Sequence, residues 1–561
     1  MTHCISRLSW RGLAGISLIA LSGAVGLSAP AQAQSLGPLV RVAAGDPFTG
    51  CSADKVENQE ARFGSVLYPA SAIEPWVAVD PTDPSRILLG HQQDRWSDGG
   101  ARGLTGAVSN NGGATWSPTI PGGVTKCTDG VYMRASDPWV DFAQDGTAFY
   151  FSLPFDSANP KILQGSTRTA AVISRSTDHG ATWAAPITLI DEVSRLIFND
   201  KNSVTADPTR NGSVYAVWDR VVFMQPSSES DRLLALGDGV AMARERLNSK
   251  VGASSVCAPV DKPPCLRGAP LAAIQSVGPS YLSVSSNNGV SWGAPASIYD
   301  PGLNAQTINN LVQVLPSGEV LDFFTNIAAS GQLSIGLIRS PNKAISWSAP
   351  TFPQDIQVVS VVSPDAGESV RDASILFSVS VNRVNGAIYL AWQDDRFSSD
   401  TCTTLTGTIP VSRIAFSQSL DGGHIWSAPI RIERTPANAN ACREQAFIPA
   451  VAATGDGKSI VVTYYDFRND ANSPAGFEAT DYFAEICDVR LDCSKRINWG
   501  DEQRLTNASF NILDAPVANG HFMGDYMGLA AGGPNKMHPV FGVAASKNRV
   551  VEFTREITAR P

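Results

Sequence analysis

The sequence predicts an all-β protein that is built from repeated units of four short strands. An eight-residue motif of the form S-x-D-x-G-x-T-W is clearest at 176–183, and copies of it stand at 109–116, 285–292, 340–347 and 419–426. Short apolar stretches around these copies are separated by N-G, D-G or S-G pairs, which are typical of hairpin turns. Recurrence of this kind is the signature of a repeat architecture.

The motif itself is expected to close a hairpin. Its Asp or Asn can accept hydrogen bonds from backbone N–H groups further along the turn, its Gly allows a positive φ, and its Trp offers a large ring for burial between neighbouring sheets. A structural role is therefore predicted for these motif residues: Ser109, Asn111, Trp116, Ser176, Asp178, Trp183, Asn287, Trp292, Asp421 and Trp426.

The motif resembles the Asp-box (BNR) repeat, and the chain is similar to the sialidase superfamily of β-propellers. This resemblance implies a propeller of four-stranded blades. It also implies that each box joins the third and fourth strands of a blade, on the face away from the active site. We expect seven blades, with the strand near Val40 completing the last blade and closing the ring. Six blades are the alternative, if the last unit is only a cap.

Two units depart from the pattern. The sixth unit has no box, and Trp499 stands where the box Trp would be. The third unit carries an insertion at about 221–280, with a possible helix from Arg232 to Asn248, which is expected either to cover the functional face or to be a surface excursion.

The first 33 residues have the form of a secretory signal peptide. Arg7 and Arg11 precede an apolar stretch, and Ala31-Gln32-Ala33 provides a cleavage site. Residues 34–561 are then expected to form a single propeller domain that is secreted or periplasmic. The net charge is −9, and the chain shows no basic stripe of the kind that nucleic-acid binding needs. No later stretch is apolar enough to span a membrane, and a monomer with no cofactor and no metal site is expected.

Cleavage would leave eight cysteines, an even number for an oxidising compartment. Short loops favour two pairings, Cys257–Cys265 and Cys487–Cys493. The other two predicted pairings are Cys402–Cys442 and Cys51–Cys127.

Polar residues recur where the first strand of each unit starts and where the second ends. In a propeller these positions meet around the channel mouth, and a cleft with many charges can bind a charged ligand. Arginine suits a carboxylate through a bidentate contact. The expected ligand contacts are Arg371, Arg443, Arg468, Arg95, Arg220, Arg396, Glu74 and Asp525; the alternative for Arg95, Arg220 and Arg396 is a salt bridge within the repeat.

The resemblance also implies a catalytic set. Tyr526, in Tyr526-Met527-Gly528-Leu529, matches the place of the family's nucleophile, and Glu444 matches the glutamate that activates it. Asp137, or Asp94 in its place, is the expected proton donor. The implied function is an exo-α-sialidase-like glycoside hydrolase acting on a terminal acidic sugar, with an acidic glycan as substrate or ligand.

Two alternatives stay open. A propeller polysaccharide lyase on uronate glycans would use arginine to neutralise the carboxylate and His91, His521 or a Tyr as the base. A non-catalytic propeller that binds glycans or proteins is favoured by one departure: the family's early F/Y-R-I-P motif is replaced by Ile73-Glu74-Pro75-Trp76.

Overall fold

The computed structural model describes residues 34–42, 45–52, 65–156, 168–194, 196–224, 275–404 and 407–559. Within these ranges the chain is all-β, since the only helices are short 3-10 turns: Lys126–Thr128, Ala441–Glu444, Asp470–Asn472, Arg496–Asn498 and Ile512–Asp514. No helix in the same ranges is long and apolar enough to cross a membrane. The predicted signal peptide, the possible helix of the insertion and the Cys257–Cys265 pair lie outside the described residues.

Most of the described strands form antiparallel units of four, which we number 1 to 7 in chain order. Unit 1 contains Leu67–Val79, Ile87–Trp96, Ala101–Ser109 and Ser117–Thr119; unit 2 contains Arg134–Phe142, Ala148–Phe155, Arg168–Ser176 and Ile187–Val193. Unit 3 contains Ile197–Ala206, Val214–Phe223, Ser280–Ser285 and Ala296–Tyr299, with Ser276–Val277 beside the second strand. Unit 4 contains Gln306–Val314, Val320–Ile327, Leu333–Ser340 and Thr351–Asp355.

The remaining units follow the same order. Unit 5 contains Phe377–Val381, Ile388–Asp394, Arg413–Ser419 and Ile430–Arg431; unit 6 contains Ala446–Ala453, Ser459–Asp466, Ala479–Asp488 and Trp499–Arg504, with Phe510–Asn511 beside the third strand. Unit 7 contains Gly528–Ala531, Lys536–Ser546, Arg549–Thr554 and the N-terminal strand Val40–Arg41, and Ser35–Leu36 and Ile557–Thr558 extend its sheet.

The first strands of the units are neighbours in space. Each contacts the first strand of the next unit, and the first strand of unit 7 contacts that of unit 1. Val40 and Arg41 pair with Thr554 and Phe553, so the two ends of the described chain share one sheet. Side chains from adjacent units form the apolar core between the sheets.

Two small sheets lie outside these units. Val361–Val362 pairs with Ser369–Arg371, which in turn pairs in parallel with His521–Phe522. A hairpin joins Thr401–Thr404 to Gly407–Pro410. The parallel pairing is important for the site, because it sets the segment before unit 5 beside the segment before unit 7.

All five copies of the motif form the same turn between a third and a fourth strand. In unit 2, Ser176 Oγ accepts a hydrogen bond from Gly180 N at 2.9 Å, and Asp178 Oδ1 accepts one from Thr182 N at 2.8 Å. Gly180 has φ +86°. Equivalent bonds hold the turns that begin at Ser109, Ser285, Ser340 and Ser419.

The motif tryptophans pack between units. Trp183 lies against apolar side chains of units 1 and 2, and its Nε1 donates to Thr119 Oγ1 of unit 1 at 2.7 Å. Trp116 lies against side chains of units 1 and 7. The turn therefore stabilises both its own hairpin and the contact with the preceding unit.

Unit 6 closes the equivalent hairpin with a disulfide, Cys487–Cys493. Trp499 is buried there, and its Nε1 donates to the carbonyl of Cys493 at 2.8 Å. The predicted pairs Cys51–Cys127 and Cys402–Cys442 are also present. Three of the four predicted disulfides are thus confirmed, and such bonds persist in oxidising compartments.

Replacing Asp178 with Ala should destabilise the protein. The carboxylate accepts from Thr182 N, from Ser176 Oγ at 2.7 Å and from Thr182 Oγ1 at 2.6 Å, and the loss of such a set costs about 1–3 kcal/mol. Chemical unfolding should give a lower midpoint for Asp178→Ala than for Asp400→Ala, a change at an exposed loop position. Equal midpoints for the two variants would contradict a stabilising role for the turn.

Candidate functional site

Every unit places a residue with left-handed backbone in its first strand or just before it. In units 1, 2, 3, 4 and 6 this residue lies at a bulge, where the pairing of the first and second strands shifts. The seven residues are Glu74, Asp137, Lys201, Asn309, Ala373, Ile448 and Gly524. A non-glycine residue in this conformation costs about 1–3 kcal/mol, and such strain concentrates at functional sites. Three of these strained positions carry charge.

The charged members meet in one buried group, the central cluster, which consists of Glu74, Asp137, Lys201, Arg371 and Asp525. Lys201 Nζ lies 3.0 Å from Asp137 Oδ2, 3.0 Å from Asp525 Oδ2 and 3.7 Å from Glu74 Oε1. All five residues are 5% exposed or less. One ammonium group of unit 3 therefore binds carboxyl groups from units 1 and 2 and from the segment before unit 7.

Arg371 supplies the second cation of the central cluster. Its Nε donates to Asp525 Oδ1 at 2.8 Å, and its Nη2 donates to the other carboxylate oxygen. The guanidinium also lies over the ring of Phe522, 4.2 Å from the centroid. The parallel pairing of Arg371 with Phe522 places the two segments side by side and so makes this bidentate contact possible.

Glu74 and Asp137 have a second set of partners. Gln92 Nε2 donates to Glu74 Oε2 and, at 3.1 Å, to Ser136 Oγ, while Arg95 Nη1 donates to Gln92 Oε1 at 2.7 Å. Ser136 Oγ donates to Asp137 Oδ1 at 2.6 Å. These contacts fix both carboxyl groups from the side opposite to Lys201.

The carboxyl groups of the cluster differ in proton affinity. The pKa of Glu74 is raised to about 8, chiefly by burial and also by the charges of Asp137 and Asp525, against the opposing effect of Lys201. Burial would also raise the pKa of Asp525, but Arg371 and Lys201 hold that pKa well below its usual range. At neutral pH Glu74 therefore keeps a proton beside an ionised Asp525. Carboxyl groups whose environments separate their pKa values in this way can divide acid and base roles.

Aromatic rings form a wall beside the cluster. Trp76 and Trp139 stack with centroids 3.4 Å apart, and Tyr526 meets them edge-on at 5.9 and 5.5 Å. A cavity of about 60 Å³ opens between these rings, Asp525, Asn309 and Asp372. The space holds a few water molecules, and its lining combines apolar surface with a few polar groups, as binding pockets do.

Tyr526 lies at this wall, but its hydroxyl has a backbone partner. It donates to the carbonyl of Pro138 at 3.1 Å, and burial, together with the charges of Glu74 and Asp137, raises the pKa of Tyr526 well above its ordinary value. A base must therefore remove its proton before the hydroxyl can attack.

The predicted activator of Tyr526 is bound elsewhere. Glu444 contacts the Arg413 guanidinium through Oε2, and its Oε1 accepts from the Asn438 N–H at 2.7 Å. No hydrogen bond joins Glu444 to Tyr526 within the described residues. The acids whose charges act on Tyr526 are Glu74, Asp137 and Asp525.

Four of the predicted arginines do not join the central cluster. Arg443 pairs with Asp470 and Asp365, each at 2.9 Å. Arg220 pairs with Glu192. The other two pair within their own Asp–Arg segments, Arg396 with Asp394 at 2.6 Å and Arg468 with Asp466 at 2.5 Å. For Arg396 and Arg468 the geometry is the repeat-internal salt bridge.

The other sequence candidates are also held by neighbours. Burial raises the pKa of Asp94 to about 6, and this carboxylate accepts from Ala70 N at 2.8 Å. His91 contacts Glu552 at 3.0 Å and Thr105 at 2.7 Å, and His521 contacts Glu368 at 2.8 Å.

Sequence reasoning missed Gln92, Ser136 and the stacked tryptophans as parts of the site. A signal for the tryptophans exists, because Glu74-Pro75-Trp76 and Asp137-Pro138-Trp139 repeat the order acid, proline, tryptophan in adjacent units. Each acid is the left-handed residue of its bulge. Nothing in the local sequence marks Gln92 or Ser136, whose role depends on contacts between units.

Comparisons with known proteins give only distant likenesses. No family model and no curated protein matches the chain. Among solved structures it is similar to a sialidase from Streptococcus pneumoniae, with TM-score 0.40, 10% identity and coverage of 88% of this chain and 94% of that one. An α-L-arabinofuranosidase from Fusarium graminearum gives TM-score 0.39, 10% identity and coverage of 72% and 92%. A polysaccharide lyase described as an ulvan lyase gives TM-score 0.39, 10% identity and coverage of 70% and 75%. Likenesses at these identities and TM-scores do not define the chemistry of this chain.

Glu74 should make the stability of the protein depend on pH. Its folded-state pKa of about 8 exceeds the ordinary glutamate value of about 4.3. Between these values the folded protein keeps a proton that the unfolded chain has lost, so stability falls as the pH rises through this window. Glu74→Gln removes this contribution, and its melting temperature relative to the parent should increase from pH 5 to pH 8.

The matched control is Glu319→Gln, which alters a glutamate in the hairpin after the first strand of unit 4. Its melting temperature should stay parallel to that of the parent over the same pH range. Parallel curves for Glu74→Gln as well would show that Glu74 titrates normally in the folded state.

Proposed function

We propose that the protein is an exported carbohydrate-active β-propeller of seven blades that hydrolyses glycosidic bonds at the central cluster. The blade count is supported by the contacts of successive first strands, which lead from unit 7 back to unit 1. The pairing of Val40–Arg41 with the strand Arg549–Thr554 supports closure by the N-terminal strand. Export is supported by the sequence of the first 33 residues and by the three disulfides.

The observation that carries the hydrolase proposal is the opposite protonation of neighbouring carboxyl groups. Glycoside hydrolysis commonly uses one carboxyl group that donates a proton to the leaving oxygen and another that acts in ionised form. In this proposal Glu74 is the proton donor, in place of the predicted Asp137. Asp525 is the ionised neighbour of Glu74, and Asp137, which lies 3.0 Å from the same ammonium group, is the second carboxyl group that we propose to act. Trp76 and Trp139 offer aromatic surface for the sugar ring.

Tyr526 keeps its predicted role as nucleophile in this proposal. Asp137, whose charge acts on Tyr526, would have to accept its proton in place of Glu444, because Glu74 holds the proton that it donates to the leaving oxygen. A carboxylate acting as nucleophile would make the tyrosine hydroxyl dispensable. A variant that lacks the Tyr526 hydroxyl therefore distinguishes a tyrosine nucleophile from a carboxylate nucleophile.

A terminal acidic sugar is the proposed substrate class. It is supported by Arg371, the predicted ligand-binding arginine that belongs to the cluster. Because Asp525 already binds Arg371 through both oxygens, a sugar carboxylate would compete with Asp525 for the guanidinium. The substrate test therefore has to include neutral glycosides.

Binding without turnover is the second candidate function. The acids of the cluster are 3% exposed or less, and the cavity of about 60 Å³ is smaller than the about 300–1,000 Å³ of ordinary ligand pockets. These observations favour a propeller that binds a glycan or protein on its surface, with the cluster as a stabilising element of the ring.

Hydrolysis of fluorogenic glycosides by the purified mature protein tests the proposal. A sialoside is the first substrate, followed by a panel of neutral glycosides. We expect turnover by the parent, a loss of about 10²–10⁴-fold in kcat/KM for Glu74→Gln, and a fall in activity above about pH 8 as Glu74 loses its proton.

The Tyr526→Phe variant is compared with Tyr299→Phe, which alters a ring stacked on Phe324 outside the cluster. Loss of activity in the first variant alone would assign the nucleophile to Tyr526, whereas two active variants would assign it to a carboxylate. Saturable glycan binding by the parent with no turnover on any substrate would establish the binding function and refute hydrolysis.

A further inference from the structure

Arg95 fixes the orientation of the Gln92 amide. Its Nη1 lies 2.7 Å from Gln92 Oε1, and a guanidinium group can only donate hydrogen bonds. The amide oxygen must therefore face Arg95, and the amide NH₂ group must face the opposite side. There it donates to Glu74 Oε2 and to Ser136 Oγ.

The direction of these hydrogen bonds continues to the second carboxyl group. Ser136 Oγ accepts from Gln92 and directs its own hydrogen to Asp137 Oδ1 at 2.6 Å. Every hydrogen in the series points away from Arg95 and toward Glu74 or Asp137. Hydrogen bonds donated to a carboxyl group favour its ionised form.

We propose that Arg95 and Gln92 are positioning residues that lower the proton affinity of Glu74 in the central cluster, with Arg95 acting through the orientation of the Gln92 amide. This role differs from the ligand contact that the sequence predicts for Arg95. The importance of this role for catalysis rests on the proposed function. The effect on the proton affinity of Glu74 does not, because it is a property of the folded protein.

The surroundings of Arg95 suit an internal role. The residue is 1% exposed, and its guanidinium lies over the Phe522 ring at 4.9 Å, the same ring that Arg371 contacts at 4.2 Å. Both guanidinium groups thus lie over the Phe522 ring. That of Arg95 is directed to Gln92, and that of Arg371 is directed to Asp525. Neither group is placed on an exposed surface.

The charges of four neighbouring residues affect the proton affinity of Glu74. Lys201 of unit 3 and Arg95 of its own unit favour the ionised form, whereas Asp137 of unit 2 and Asp525 before unit 7 oppose it. Without Arg95 the amide could turn and present its oxygen to a protonated Glu74, and one positive charge would also be lost. Both effects raise the proton affinity of Glu74.

The experiment compares Arg95→Met, Arg95→Lys and Arg102→Met in the full mature chain. Arg102 is a matched control, because it is a buried arginine of the same unit that pairs with Asp94 at 3.4 Å. Melting temperatures are measured from pH 5 to pH 10. In the parent the decline of stability should level off near pH 8; in Arg95→Met it should extend upward by about one pH unit.

Arg95→Lys should restore the parental profile, since an ammonium group can also donate to the amide oxygen. Arg102→Met should lower the melting temperature and, because Arg102 lowers the pKa of Asp94, should alter the decline around pH 6, but the decline should still end near pH 8. An Arg95→Met profile that is lower but parallel to that of the parent would overturn the proposal, because a structural role alone gives that result. If Arg95→Met does not fold, Gln92→Met, which removes the same contact, should show the upward extension.

Enzyme kinetics provide the second readout. If the protein hydrolyses a glycoside, the alkaline fall of kcat/KM should move upward in Arg95→Met by the same amount as the stability profile. If no glycoside is hydrolysed, the proposed function fails, but the stability profiles still decide the roles of Arg95 and Gln92.

Discussion

The centre of this protein depends on the ammonium group of Lys201. It lies among carboxyl groups from units 1 and 2 and from the segment before unit 7, so one side chain connects parts of the chain that are far apart in sequence. Burial of each ion costs several kcal/mol, which only good geometry and further hydrogen bonds can offset. The strands that carry these groups must therefore be held firmly.

Contacts at the opposite end of the units hold these strands in place. There the repeated turns fix each third strand to its fourth, and tryptophans such as Trp183 bind one unit to the next. In unit 6 the Cys487–Cys493 disulfide takes the place of the turn. A scaffold held in this way can keep residues such as Glu74 and Asp137 in left-handed conformations that cost free energy locally. The strained backbone of the central residues therefore depends on the regular turns at the other end of the units.

The sequence predicts the local features well. Strand positions, the turns of the repeated eight-residue motif and the short Cys487–Cys493 disulfide follow from the order of nearby residues, because each depends on contacts within one hairpin. Predicting that polar residues converge at the starts of the first strands also leads to Glu74, Asp137 and Asp525. Their partners are harder to predict, because those contacts cross between units.

Glu444 and the arginines show this limit. Glu444 is bound by Arg413, a residue from the third strand of unit 5, and Arg220 is bound by Glu192 at the end of unit 2. A motif indicates that a charge is present but not which opposite charge lies nearest across the interface of two sheets. The assignment of ligand contacts to these arginines therefore stays a prediction, whereas their ion pairs are visible.

Burial connects the chemistry of the cluster with its accessibility. Exclusion of water raises the pKa of Glu74 and so separates its protonation from that of Asp525. The same exclusion leaves a cavity of only about 60 Å³ beside the aromatic wall. Since exposure to bulk water would weaken this contrast, the proposed hydrolysis requires a substrate that fills the cavity without admitting further water. The rings of Trp76, Trp139 and Tyr526 line this cavity together with Asp525 and so place apolar surface beside the cluster, which helps to keep bulk water away from its carboxyl groups.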